Sequence, residues 1–165
     1  MTSETFVTAI FLVTAIIAAG VLVNAIFPSI YQASETFVAG SHEMDDRMRT
    51  DIRVINTALH SSDDTAYIWI KNTGVNPIQE NLISGFDIFL GETGQYQRLT
   101  YVEGGVPDAG EWRFILYDDN GNDLWDRGET LEIIAKAGVV SSGDRIVFQV
   151  VLQNGVRRST EFTAV

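Results

Sequence analysis

The feature that most constrains this chain is a long uncharged segment close to its N-terminus. No charged residue occurs between Glu4 and Glu35, and Phe6 to Phe27 reads FVTAIFLVTAIIAAGVLVNAIF. As an α-helix this run would span about 33 Å, enough to cross a hydrocarbon layer of about 30 Å. A chain of 165 residues has too little material to bury such a helix on all sides. The run therefore predicts a helix that inserts in lipid or packs against copies of itself in a filament core.

Small residues along the run suit both environments, because they let apolar helices approach one another closely. The run is too long for the core of a signal peptide, and no clear small-x-small cleavage site follows it, so we expect it to be retained. Ser3 is the expected N-cap, and Glu4 complements the helix dipole. The residues predicted to face lipid or neighbouring helices are Phe6, Ile10, Leu12, Ile16, Ile17, Gly20, Leu22, Ile26 and Phe27.

The helical pattern changes its character at Pro28, which predicts a bend or the start of a second segment. From Ile30 to about Met48, apolar residues recur near helical spacing among acidic and basic ones. This pattern indicates a helical stalk, which Gly40 would weaken. Residues 1–49 are therefore predicted to form one N-terminal unit, the apolar helix and its stalk.

From about Thr50 the pattern becomes the alternation of short β-strands, rich in β-branched and aromatic residues and separated by turn residues. The strongest single signal is Asn154-Gly155 between two such runs, because Asn-Gly is typical of a tight β-hairpin. Residues 50–165 are predicted to form an all-β antiparallel sandwich, so the fold class is α+β. The runs are Ile52–Asn56, Tyr67–Lys71, Phe86–Leu90, Gln97–Val102, Trp112–Tyr117, Leu131–Ile134, Arg145–Leu152 and Arg157–Thr163.

The charge balance excludes several functions. Acidic residues outnumber basic ones by 22 to 11, and a net charge of −11 disfavours nucleic-acid binding. The chain has no cysteine and two histidines, His42 and His60, and it contains none of the common nucleotide-binding, nucleophile-elbow or zinc-protease motifs. We therefore expect a protein that is not an enzyme and has no small-molecule substrate.

One acidic segment has the spacing of a metal-binding loop. In the twelve residues from Asp118 to Glu129, oxygen-bearing side chains occupy positions 1, 3, 5, 9 and 12, as in a calcium loop. Asp123 stands at position 6, where such loops require glycine, and the same residues are also ordinary turn formers. Both readings stay open: an acidic β-hairpin loop, or a calcium site. The candidate ligands are Asp118, Asn120, Asn122, Asp126, Glu129 and the Leu124 carbonyl.

Several stretches of the sequence resemble a known family. They are Glu4–Leu12 and Ala19–Pro28 in the apolar run, His42–Arg47 in the stalk, and Asp87–Gly91, Arg98–Tyr101 and Asn154–Val156 in the β-region. Together they resemble the archaellum accessory protein family FlaG (ArlG). The resemblance implies an immunoglobulin-like β-domain and a location between the archaeal membrane and the S-layer. It also implies a stator-like role with the S-layer and other archaellum components as partners.

The nearest competing family is the archaellins, the pilin-like subunits of the extracellular filament, which share the same architecture. The sequence lacks the charged leader that precedes the archaellin helix, and it has no N-x-Ser/Thr glycosylation sequon. Both points favour the anchored protein. Two function classes result: a stator or scaffold anchored in membrane lipid, and a filament subunit that polymerises through its N-terminal helix. In either class the helix predicts a homo-oligomer.

Overall fold

The apolar run and the stalk form a single long helix. The computed structural model describes residues 2–165, and its first element, α1, runs from Thr2 to Arg49 without interruption. Pro28 lies inside this helix, so no second segment starts there. Because proline lacks an N–H group, its position removes one helical hydrogen bond, but the residues on both sides still form theirs.

The end of α1 is held by backbone groups of the β-region. The Arg49 carbonyl accepts hydrogen bonds from the N–H groups of Val75 (2.9 Å) and Asn76 (3.2 Å). The carbonyl groups of a last helical turn lack partners within the helix, so such bonds stabilise the helix end. Accordingly the chain divides into two compact units between Met44 and Asp45, five residues before the end of α1.

The β-region consists of two larger sheets and one short ladder. Its elements are β1 Ile52–His60, β2 Thr65–Asn72, β3 Ile78–Gln79, α2 Glu80–Ile83, β4 Asp87–Glu92, β5 Gln95–Arg98, β6 Thr100–Tyr101, β7 Glu111–Tyr117, β8 Leu124–Trp125, β9 Thr130–Lys136, β10 Arg145–Val151 and β11 Arg157–Thr163. The five-stranded sheet has the order β1-β2-β9-β7-β6, the four-stranded sheet has the order β11-β10-β4-β5, and β3 pairs with β8. All pairs are antiparallel except β6 with β7.

The inward faces of both sheets share one hydrophobic core. Alternate residues of β2 and β10 are buried there, in keeping with the two-residue period of a strand. The largest buried side chains include Trp112, Trp125, Phe148, Ile68, Ile70, Ile88, Leu90, Leu131 and Ile133. The predicted class, a long apolar helix followed by an antiparallel β-sandwich, is confirmed.

One predicted strand is in fact two, and they belong to different sheets. The run Gln97–Val102 breaks at Leu99, where β5 of the four-stranded sheet ends and β6 of the five-stranded sheet follows. Leu99 is buried, and its N–H donates to the Ile88 carbonyl while Thr100 N–H donates to the Gly110 carbonyl. The chain therefore crosses between the sheets with an apolar residue in the core, and alternation alone does not reveal that crossing.

Candidate functional site

The predicted metal loop connects two neighbouring strands of the five-stranded sheet. Residues 118–129, called the acidic loop below, follow β7 and precede β9, and their ends are fixed where Tyr117 pairs with Thr130. Within the loop, β8 pairs with β3, so that Leu124 lies opposite Gln79. The Leu124 carbonyl, a predicted ligand, thus lies in a short strand rather than in an open turn.

Asp118 at position 1 organises the first half of the loop. Its Oδ1 atom accepts hydrogen bonds from the N–H groups of Asn120 (3.0 Å) and Gly121 (2.7 Å), and its Oδ2 atom accepts one from Asp123 (2.9 Å). Partial burial pushes the pKa of Asp118 upward, but the backbone hydrogen bonds outweigh it and hold that pKa below its usual value. The carboxylate is therefore favoured in its charged form, as a cation ligand must be.

Asp123 has the backbone conformation that position 6 of a calcium loop requires. Its φ is 59°, in the left-handed region where glycine is usual and aspartate is tolerated. Its carbonyl accepts a hydrogen bond of 3.0 Å from the Glu80 N–H, which ties the loop to α2. The departure from glycine therefore does not prevent the sharp turn.

Three predicted ligands converge in the middle of the loop. The Asp126 Oδ2 atom accepts hydrogen bonds from the side-chain amides of Asn120 (3.0 Å) and Asn122 (2.9 Å). Asn122 Oδ1 accepts the Leu124 N–H at 3.0 Å, which fixes the orientation of that amide. Asn120 would need to turn its amide by half a rotation to offer its oxygen to a cation.

Glu129, at position 12, is the most buried of the predicted ligands. Its carboxylate oxygens accept the N–H groups of Asp126 (2.8 Å) and Asp119 (3.1 Å). The Glu129 carbonyl accepts the Trp125 indole N–H at 3.0 Å. Glu129 therefore links the two halves of the acidic loop by accepting hydrogen bonds from backbone N–H groups of both halves.

The acidic loop thus places the predicted side chains together but uses them for hydrogen bonds. Within residues 2–165, no group of three or more Asp, Glu or His side chains is arranged to hold a metal ion. A calcium ion would have to replace the hydrogen bonds to Asp126 and Glu129 with coordination by their oxygens. The donor set, carboxylates and amide oxygens, is that of a calcium site.

The apolar helix is the second predicted site. Residues from Ser3 to Arg49 are exposed, and the helix is long and apolar enough to cross a membrane. The hydroxyl groups of Thr8 and Thr14 donate to the carbonyls of Glu4 and Ile10, each at 2.8 Å. These two polar side chains are therefore satisfied within the helix, which lowers the cost of placing it in lipid.

The tryptophans divide between the core and the outer surface. Trp112 and Trp125 are buried in the core, and Trp69 is half-buried on the outward face of β2. The sequence Tyr67-Ile68-Trp69-Ile70 already indicates an apolar outward face. Large apolar residues occur at every position there, and successive residues of a strand point to opposite sides of the sheet. Sequence reasoning did not identify that outward face as a surface of interest.

Comparison with known proteins assigns nearly the whole chain to one family. The family model described as archaeal-type flagellin matches residues 3–162. A protein of Archaeoglobus fulgidus described as uncharacterised is 26% identical over 168 residues, which cover 99% of each chain.

Solved structures of two kinds share the fold. The archaellum periplasmic stator protein FlaG from Sulfolobus acidocaldarius has a TM-score of 0.55 and 22% identity, covering 68% of this chain and 99% of that one. The stator complex FlaF and FlaG from the same organism gives 0.54 and 21%, covering 67% and 87%. The archaeal flagellum of Methanospirillum hungatei strain JF1 gives 0.66 and 11%, covering 95% and 91%.

Proposed function

This chain belongs to the archaeal-type flagellin family, and on that premise we propose that it is a structural, stator-like component of the archaellum anchored in the membrane. The helix α1 would hold the β-domain outside the membrane in the archaeal cell envelope. The β-domain, with the immunoglobulin-like sandwich expected of such proteins, would contact the S-layer or other archaellum subunits. Nothing in this role requires a catalytic group or a small-molecule substrate.

One combination of features carries the proposal. The likeness to the FlaG stator protein covers 68% of this chain and 99% of that protein's solved chain, and this chain also has an exposed apolar helix. A helix satisfies its own backbone hydrogen bonds and can therefore remain in lipid without a protein partner. The two parts would serve an anchored stator, the apolar helix as an attachment to the membrane and the folded domain as the part outside it.

The second candidate is a filament subunit that polymerises through α1. It is supported by the likeness to the Methanospirillum hungatei archaeal flagellum, which covers 95% of this chain and therefore includes much of the helix. The small residues of the apolar run would bring the backbones of neighbouring helices close together. In this case Asn24 would hydrogen-bond to a neighbouring subunit, whereas in lipid it would lie near the interface at the Pro28 end.

Calcium is proposed as a structural ligand of the acidic loop in either case. The support is the left-handed backbone at Asp123 together with the charged state favoured for Asp118. Bound calcium would stiffen the connection between β7 and β9, and it would act on stability rather than on any reaction.

Membrane fractionation separates the two candidates. Cells that produce the full chain are sheared to release filaments, and the remaining membranes are extracted with alkaline carbonate. We expect the chain to stay in the membrane pellet. The variant Ile16→Asp should leave the pellet, because a charge at the centre of a membrane helix costs about 2.5–3.5 kcal/mol. Ile16→Leu is the matched control and should remain with the membranes.

The opposite distribution would support the alternative. If the wild-type chain leaves the carbonate pellet and is recovered as extended filaments in the sheared fraction, the proposal of an anchored stator is wrong. The chain is then a filament subunit. Electron microscopy of the sheared fraction distinguishes filaments from released membrane fragments.

A further inference from the structure

The outward side of the five-stranded sheet is unusually aromatic. By strand register, Tyr67 lies opposite Ile134, Trp69 opposite Glu132, and these continue to Arg113 and Ile115 on β7. A sandwich needs only its inward faces to be apolar, so large apolar side chains outside require another explanation. The aromatic face, as we call it, consists of Tyr67, Trp69 and Lys71 of β2, Glu132, Ile134 and Lys136 of β9, and Arg113, Ile115 and Tyr117 of β7.

The aromatic rings on this face form an ordered cluster. Tyr67 and Trp69 stack with their ring centroids 6.3 Å apart and their planes at 19°, and His60 meets Tyr67 edge-on at 6.4 Å. Ile115 and Tyr117 at the other side are exposed, Tyr117 by 48%. Aromatic residues supply much contact area at a low entropic cost, which is why they are enriched at protein interfaces.

The middle of the face already contains groups that are withdrawn from solvent. Glu132 is 7% exposed, and its Oε2 atom accepts the Tyr117 hydroxyl at 2.7 Å. Within residues 2–165, Arg113 Nε is the one buried side-chain nitrogen or oxygen without a hydrogen-bond partner. A carboxylate brought to this face could pair with the Arg113 guanidinium and compensate that loss.

The charge of the face identifies the partner's chemistry. The basic residues Arg113, Lys71 and Lys136 lie on this face. Arg53 of β1 lies beside it, opposite Lys71 of β2. Only Glu132 and Glu111 are acidic there, although the chain as a whole has a net charge of −11. The aromatic face is thus a basic area on an acidic protein, and it is complementary to an acidic surface.

The acidic loop of the same protein is such a surface. It holds Asp118, Asp119, Asp123, Asp126 and Glu129 against one base, Arg127, and Asp119 and Asp123 are exposed. Within one copy, hydrogen bonds hold the loop to α2 and to the end of β2. Glu80 N–H binds the Asp123 carbonyl at 3.0 Å, and Asn72 Nδ2 binds the Trp125 carbonyl at 2.8 Å.

We propose that the aromatic face of the five-stranded sheet binds the acidic loop of a second copy of this chain. The two surfaces differ, so the contact is head-to-tail and can continue from copy to copy. Attachment of every copy to one membrane or filament raises the local concentration of both surfaces. The contact applies to an anchored stator and to a filament subunit alike, so it does not depend on which of them is correct.

Disulfide cross-linking of the full chain tests the contact, because the natural sequence contains no cysteine. Two differently tagged variants, Ile115→Cys on the aromatic face and Arg127→Cys in the acidic loop, are co-reconstituted in phospholipid vesicles and oxidised. We expect a disulfide-linked heterodimer of the two tags. The matched control is Tyr96→Cys, 50% exposed on β5 in the other sheet, which should not cross-link to Arg127→Cys.

Charge reversal tests the chemistry of the contact. Lys71→Glu on the face-bearing copy should lower the heterodimer yield about two- to fivefold, the scale of one exposed charge pair. Asp119→Lys on the loop-bearing copy should restore part of it. Three outcomes would each overturn the proposal. They are cross-linking of Tyr96→Cys to Arg127→Cys in equal yield, absence of the heterodimer, and a heterodimer yield that neither Lys71→Glu nor Asp119→Lys changes. A dominant dimer between two Ile115→Cys copies would replace it with a face-to-face contact.

These results are independent of the membrane fractionation above. Cross-linking is measured only on protein that floats with the vesicles, so poor membrane insertion reduces the sample without changing its pattern. A chain that inserts but gives no heterodimer contradicts the contact and leaves the anchored stator intact.

Discussion

The side-chain amide of Asn72 donates a hydrogen bond of 2.8 Å from its Nδ2 atom to the backbone carbonyl of Trp125. This bond joins the end of β2 to the short strand β8 inside the acidic loop. The same amide donates to the Asn76 carbonyl at 3.1 Å, and its Oδ1 atom accepts the Gly74 N–H at 3.0 Å. Asn72 is fully buried, so it connects three backbone segments without the help of solvent.

Replacement of Asn72 is therefore expected to destabilise the β-domain. Asn72→Ala leaves the Trp125 and Asn76 carbonyls and the Gly74 N–H without this partner, and a buried unsatisfied group costs about 1–3 kcal/mol. Urea unfolding followed by tryptophan fluorescence measures the change. Asn81→Ala, at an exposed position in α2, should change the free energy of unfolding by less than about 0.5 kcal/mol. Equal effects at both positions would contradict the role of Asn72.

The acidic loop is expected to make stability depend on calcium. At a free calcium concentration 100 times the dissociation constant, binding adds about 2.7 kcal/mol to the free energy of unfolding. Glu129→Gln should remove most of the calcium-dependent rise in the melting temperature, because it removes the charged ligand at position 12. Glu103→Gln, outside the loop, should retain that rise.

Glu129→Gln is also expected to lower stability in chelator, because Glu129 accepts the N–H groups of Asp119 and Asp126. The informative quantity is therefore the difference, for each variant, between its melting temperature in calcium and its melting temperature in chelator. A wild-type melting temperature that is identical in both solutions excludes the calcium site, and the acidic loop is then an ordinary hairpin connection.

Asp118 is expected to contribute to stability at neutral pH and to lose that contribution in acid. Its pKa in the folded protein is lowered, while the unfolded chain has a value of about 3.9. A lowered pKa means that the stabilisation is present above pH 3.9 and disappears as the pH falls through the folded value. Asp118→Asn should therefore be less stable than the wild type at pH 7, with a gap that narrows below about pH 4.

Denaturant unfolding of the wild type and of Asp118→Asn at each pH measures this difference in the free energy of unfolding. If the gap between Asp118→Asn and the wild type stays constant down to pH 2, the backbone hydrogen bonds to Asp118 do not depend on its charge.

The β-domain is expected to fold without the apolar helix, and its exact start should affect its stability. Fragments 50–165 and 45–165 should both give circular dichroism dominated by β-structure. The longer fragment retains the Arg49 carbonyl that accepts from Val75 and Asn76, and it retains the Asp46 carboxylate that accepts the Asn76 amide at 2.7 Å. These bonds should make it more stable by about 1–3 kcal/mol. A helix-dominated spectrum of either fragment would contradict the fold.

Local sequence determined the elements whose signals lie within one segment. The uncharged run from Phe6 to Phe27 required a helix, because only a helix satisfies the backbone of an apolar segment of that length. Alternation indicated the strands, and Asn154-Gly155 placed the last hairpin, whose second predicted run Arg157–Thr163 coincides with β11. The spacing from Asp118 to Glu129 identified which side chains come together around Asp126.

Tertiary structure decided the features that depend on residues distant in the chain. The break at Leu99 arises because its two sides pair with strands of different sheets, and the left-handed backbone of Asp123 is held by Asp118 and Glu80. Likewise the aromatic face exists only because register brings β2, β9 and β7 side by side. Periodicity states which residues of one strand share a side, but the free energy of long-range pairing decides which strands are neighbours.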